Sequence, residues 1–94
     1  MYAIVCDLDV AVLEQKYPST SWADAYRDVG DILQKRGFER QQGSTYFGND
    51  ATTAVDCVLA VQELNKTYAW FNPSVTDIRM LRIEENNDLA PAMV

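Results

Sequence analysis

Two short β-prone runs, Phe38–Gln41 and Ser44–Phe47, meet at Gln42-Gly43 near the middle of the chain, and this hairpin limits the fold more than any other feature. Glycine at the second turn position permits the positive φ that a tight two-residue loop demands. A strand-like and a helix-like segment lie on each side of it. Tyr2–Leu8 is apolar and β-prone, and reads as a buried strand. Further on, Trp22, Ala25, Tyr26, Val29, Ile32 and Leu33 recur at helical spacing, with Asp28, Asp31, Gln34 and Lys35 on the opposite side. Ser21 with Asp24 resembles a capping box, Ser19 and Thr20 are alternative caps, and Gly37 fits the position just past the helix end. Gly30 costs this helix about 1 kcal/mol relative to alanine, which implies close packing there. A second helix is expected from Asp50, capped by Asn49 or Asp50 and carried by Ala54, Val55, Val58, Val61 and Leu64. Past Trp70, Phe71 and Pro73, Val75–Ile83 reads as the last strand. Asp9–Pro18 is a connection of uncertain form, and the tail 86–94 either frays or docks onto a partner.

The order is βαββαβ, an α+β chain of ferredoxin-like type. Right-handed crossovers give one antiparallel sheet of strand order 4-1-3-2 with two helices on one face. The 94 residues suffice for one domain, 1–94. The sheet face without helices is expected to find a partner, and a homodimer is the simplest one.

Register decides which side chains share that open face. A loop of Gln42-Gly43 pairs Gln41 with Ser44, Glu39 with Tyr46, and Phe38 with Phe47. Phe38 and Phe47 then face the helices, and Glu39, Gln41, Ser44 and Tyr46 face away. Alternation sends Ile4, Cys6, Ile78 and Met80 to the helix side, and Ala3, Val5, Asp7, Asp77 and Arg79 to the open side. Because the first strand runs antiparallel to both neighbours, Asp7, Ser44 and Asp77 converge at one corner, with Asp9 and Gln41 close behind. Two neighbouring carboxylates can bind a cation such as Mg²⁺, share a proton and act as acid or base, or form salt bridges with Arg40 and Arg79. The basic residues Lys35, Arg36, Arg40, Arg79 and Arg82 can contact phosphates, and Tyr46 or Trp70 can stack on a base; solvated or ion-paired side chains are the simpler reading.

Several function classes are excluded. There is no histidine, so imidazole catalysis, Ser-His-Asp triads and His-bearing zinc sites are out. A formal charge of −6 argues against broad, non-specific nucleic-acid binding. Gly43–Gly48 is not a phosphate-binding loop, because its glycine spacing is wrong and no Lys-Ser/Thr follows. Cys6 and Cys57 lie in apolar stretches and read as buried free thiols. No signal peptide is apparent and no apolar run approaches the ~20 residues of a membrane span, so the expected setting is cytoplasmic, with no membrane partner.

The stretches MYAIVCDLD, GFERQQGSTYFGN and SVTDIRMLRIEE resemble the virulence-associated protein D (VapD) family over nearly the whole chain. The resemblance implies a ferredoxin-like homodimer, akin to the small dimeric nuclease-like proteins of CRISPR adaptation. It implies an endoribonuclease, the toxin of a bacterial toxin–antitoxin pair, with RNA as substrate and a protein antitoxin as partner. Asp7 is the residue it carries over most directly, with Ser44 and Asp77 at positions near the dimer centre. Cys6 stands where a bulky aromatic is usual beside that Asp. Without histidine, cleavage falls to a carboxylate, acting either as base toward the 2′-hydroxyl or as ligand of a metal-activated water. The expected catalytic residues are therefore Asp7, Ser44 and Asp77; the expected RNA contacts are Arg40, Gln41, Tyr46 and Arg79; and Asp7 with Asp9 would meet any Mg²⁺. A non-catalytic dimeric module that binds a protein through its open face or tail is the competing reading.

Overall fold

The structure, a computed structural model, describes residues 1–93. The end of the expected tail, Val94, lies outside the described residues. Four strands, β1 (Tyr2–Leu8), β2 (Phe38–Gln42), β3 (Thr45–Gly48) and β4 (Val75–Arg82), form one antiparallel sheet in the order β2-β3-β1-β4. Read from the other edge, this is the ferredoxin-like order 4-1-3-2 expected from the sequence. The two main helices, α2 (Asp24–Lys35) and α3 (Ala54–Thr67), are the crossovers; α1 (Val10–Lys16) and α4 (Phe71–Ser74) are short additions.

Helix α1 fills the segment that showed no clear pattern. Asp9 starts it by accepting the Val12 backbone N–H at 3.2 Å, and its single buried side chain, Leu13, joins the core. The expected caps of the longer helices fall elsewhere. Helix α2 begins at Asp24 with no side-chain cap, because Ser19–Trp22 form turns of their own. Asn49 is likewise spent on a turn, bonding the Ala51 N–H, and Thr53 with Asp56 makes the capping box of α3 instead. Gly37 ends α2 at φ +92, a conformation that strongly favours glycine.

The core lies between the sheet and the helices. Ile4, Cys6, Leu8, Phe38 and Tyr46 from the strands meet Ala25, Val29, Ile32 and Leu33 of α2 and Cys57, Ala60 and Leu64 of α3. Trp22 and Tyr26 pack against it, partly buried. Trp70 is buried, stacked on Tyr68 with ring centroids 4.9 Å apart and edge-on to Tyr17, so it is a packing residue and not a platform for a base. Outside this layer α3 leaves Val55, Val58 and Leu59 exposed, and Met80, on the helix face of β4, borders an apolar cavity with Val58 and Val61 of α3 and stays about half exposed.

The hairpin corrects the expected register. Gln42 pairs with Thr45, Arg40 with Tyr46, Glu39 with Phe47 and Phe38 with Gly48, with Gln41 as a bulge. The loop is therefore Gly43-Ser44, with Gly43 at φ +47. One step of displacement exchanges the faces of β3. Tyr46, expected on the open face, is 1% exposed and sits in the core, where an added Cβ on Gly30 of α2 would come 3.9 Å from its ring. Phe47, expected in the core, is half-buried on the open side. The larger amphipathic ring fills the space under α2, and the bulge at Gln41 takes up the extra residue.

Candidate active site

The β1 register lays out the open face in rows. Leu81, Ala3 and Phe47 share one row, and Arg79, Val5 and Thr45 the next. Asp77 and Asp7 lie directly opposite each other in the third, where the turn begins. The face is apolar at one end and charged at the other.

The charged end is shaped by irregular backbone. Leu8 pairs with Val75, which leaves Thr76 as an extra residue of β4 beside Asp77, and the Thr76 hydroxyl donates to the Asp7 carbonyl at 3.2 Å. This bulge adjoins the corner, whereas the one at Gln41 lies in β2, on the far side of β3; bulges commonly re-aim side chains near active sites. Like charges set directly opposite on neighbouring strands oppose folding. Asp77 has a counter-ion: the Arg79 Nε donates to both its carboxylate oxygens, at 3.0 and 3.2 Å. Among the described residues no donor or cation engages the Asp7 carboxylate, and Asp7 is exposed.

The other expected residues divide. Ser44 lies in the turn; its carbonyl accepts the Cys6 N–H at 2.9 Å, so its backbone is beside Asp7. Continuing the β1–β3 pairing by one step sets Ser44 opposite Cys6, and the hydroxyl that alternation places on the open face is that of Thr45. Arg40 is drawn to the helix side, its guanidinium 5.7 Å from the Tyr26 ring centre and its Nε bonded to the Gly43 carbonyl at 2.8 Å. It braces the turn. Tyr46 is in the core and cannot stack on RNA without unfolding the hairpin. Gln41 is exposed at the bulge, beside Phe47 and residues 86–89 of the tail. Asp9 caps α1 through its Oδ1, and the carboxylate-bearing residue directly opposite Asp7 in the sheet is Asp77. Among the described residues no three His, Cys, Asp or Glu side chains gather as a metal cluster. The bulges at Gln41 and Thr76 had no signal in the sequence, since neither position carries glycine or breaks a pattern.

Directly beneath Asp7, Cys6 is buried and free. Burial, and then the charges of Asp7 and Asp77, push its thiol up to about 12. Because this lies above the ordinary thiol value of about 9, the buried neutral thiol contributes stability that is complete below about pH 9 and is lost as pH rises toward 12. Cys6 and Cys57 should therefore resist a thiol reagent at neutral pH in the folded protein and react fully in denaturant. Rapid labelling of Cys6 without denaturant would contradict this placement.

No family model matches the chain. Endoribonuclease VapD 2 of Riemerella anatipestifer is 50% identical over 93 residues, covering 99% of this chain and 99% of its own length. The chain belongs to the VapD family. An endoribonuclease VapD homolog of Helicobacter pylori is 44% identical over 93 residues, 99% of this chain and 96% of its own. The endoribonuclease VapD of Dichelobacter nodosus is 40% identical over 88 residues, 94% and 91% of the two chains. The first two of these VapD relatives match over 93 of the 94 residues of this chain. No described helix is long and apolar enough to cross a membrane.

Proposed function

We propose that this chain is an endoribonuclease whose site is the acidic corner of the open face, with Asp7 as the base. The observation that carries this is the carboxylate of Asp7, exposed, without a counter-ion, and opposite an Asp77 that has one. RNA brings its own nucleophile, the 2′-hydroxyl. Asp7 takes that proton, O2′ attacks phosphorus, the bond from phosphorus to O5′ breaks, and O5′ is protonated from solvent. The products are a 2′,3′-cyclic phosphate and a 5′-hydroxyl. Thr45 supplies the open-face hydroxyl nearest this corner to orient the phosphate, Ser44 holds the turn beside it through its backbone, and Asp77 keeps a second negative charge near Asp7. Should Mg²⁺ take part, Asp7 and Asp77 are the pair that would hold it, and a cation that keeps most of its waters fits so small a donor set.

The apolar row Leu81–Ala3–Phe47 supports a homodimer formed through the open face, which would bring two acidic corners into one assembly. The family suits the toxin of a toxin–antitoxin pair acting in the cytoplasm. Product ends decide the chemistry. Cyclic phosphate ends that persist in excess chelator are the expected result; 5′-phosphate ends that vanish with chelator would replace the 2′-hydroxyl by a metal-activated water. A purified protein peak that cuts no defined RNA would leave the non-catalytic, partner-binding reading in its place.

A further inference from the structure

A chain with a formal charge of −6 that admits a polyanion beside two carboxylates needs a local cation, and the fold supplies very few. The chain holds eight lysines and arginines in all. Lys16, Arg27, Lys35 and Lys66 are on helices, and Arg36 follows α2 and pairs with Glu63 at 2.6 Å. Arg40 pairs with Tyr46 and Arg82 with Tyr2, so both belong to the helix side of the sheet. Among the lysines and arginines of the described residues, Arg79 alone is placed on the open face, in the row next to Asp7 and Asp77.

Its geometry suits a second task. Only Nε is used on Asp77, and the side chain is 69% exposed. Both terminal amino groups of the guanidinium, four N–H donors, are left for an anion. We infer that Arg79 is the single phosphate-binding side chain of each subunit's site, anchored through Nε by Asp77 while its terminal nitrogens take one phosphate of a single strand. Asp77 then acts as a positioning residue, holding the fork in place next to Asp7. The site engages RNA one phosphate at a time per subunit, in contrast to proteins that track a run of backbone along a basic groove. This rests on the acidic corner being the RNA site, and its test is kept separate from cleavage.

The probe is a fluorescent single-stranded 2′-O-methyl RNA, which lacks the attacking hydroxyl, titrated with the folded protein over a salt series. For the unmodified chain the logarithm of affinity should fall with the logarithm of salt at a slope near −0.7 per bound subunit, the value for one phosphate contact on a single strand. Arg79→Gln should weaken binding about tenfold or more and bring the slope close to zero. Arg79→Lys should keep the slope at reduced affinity, because a point charge replaces the fork. Asp77→Asn should keep the slope too, since the cation remains. An Arg79→Gln protein with unchanged affinity and slope overturns the assignment, as does an unmodified chain whose slope shows many contacts or that fails to bind the probe. The carboxylate site is judged independently, by whether Asp7→Asn still cuts unmodified RNA.

Discussion

Asp7→Asn is expected to slow RNA cleavage by about 10²–10⁴-fold, the span that a positioned general base contributes. The melting temperature should stay level or rise slightly. Asp7 is exposed, its backbone carbonyl keeps the Thr76 hydroxyl bond, and among the described residues its side chain makes no hydrogen bond that the amide would lose. What the change removes from the folded state is the like-charge opposition across β1 and β4, a cross-strand term of about 0.2–1 kcal/mol. An activity loss without a stability loss is thus the signature of a base. Cleavage at the original rate, measured on a purified and folded variant, would remove Asp7 from the mechanism.

Tyr46→Ala is expected to have the largest effect on stability. The ring is 1% exposed and packed beneath α2, and emptying such an aromatic site costs about 3–5 kcal/mol. A domain of this length has roughly 5–14 kcal/mol in total, so the change takes a large share of it. At about 4–8 °C per kcal/mol the melting temperature should fall by 12 °C or more, to order of magnitude. Phe47→Ala, on the half-buried open face, should cost far less, about 1 kcal/mol, since less surface leaves water there on folding. Thermal melts of the two variants separate the observed register from the alternative in which Phe47 is inside and Tyr46 outside. Equal melts for Tyr46→Ala and the parent, with a loss of RNA affinity instead, would restore Tyr46 to the open face.

The two variants mark where reading from the residues succeeds and where it stops. Apolar and polar side chains take turns over Cys6-Asp7-Leu8 and over Asp77-Ile78-Arg79-Met80, which assigns the two faces of these stretches, and the structure keeps Cys6 and Ile78 on one side and Asp7 and Asp77 on the other. The opposition of the two acids follows from that pattern and from the handedness of the crossovers. In Thr45-Tyr46-Phe47 two aromatics stand side by side, so the local pattern accepts either face inward. The choice is made by the volume under α2 and by a bulge at Gln41 that no turn residue announces.

What the sequence by itself determined is the order of the elements, the strand order of the sheet, and the meeting of Asp7 with Asp77, since these follow from periodicity and chain handedness. Only the tertiary structure decided the hairpin register, the capping duty of Asp9, the withdrawal of Tyr46 from the open face, the use of Arg40 to brace the turn, and the isolation of Arg79 on the open face. The physical reason is one of range. Periodicity is local and survives in any context, whereas a single extra residue in a strand inverts every side chain beyond it, and its placement depends on packing against a helix distant in sequence.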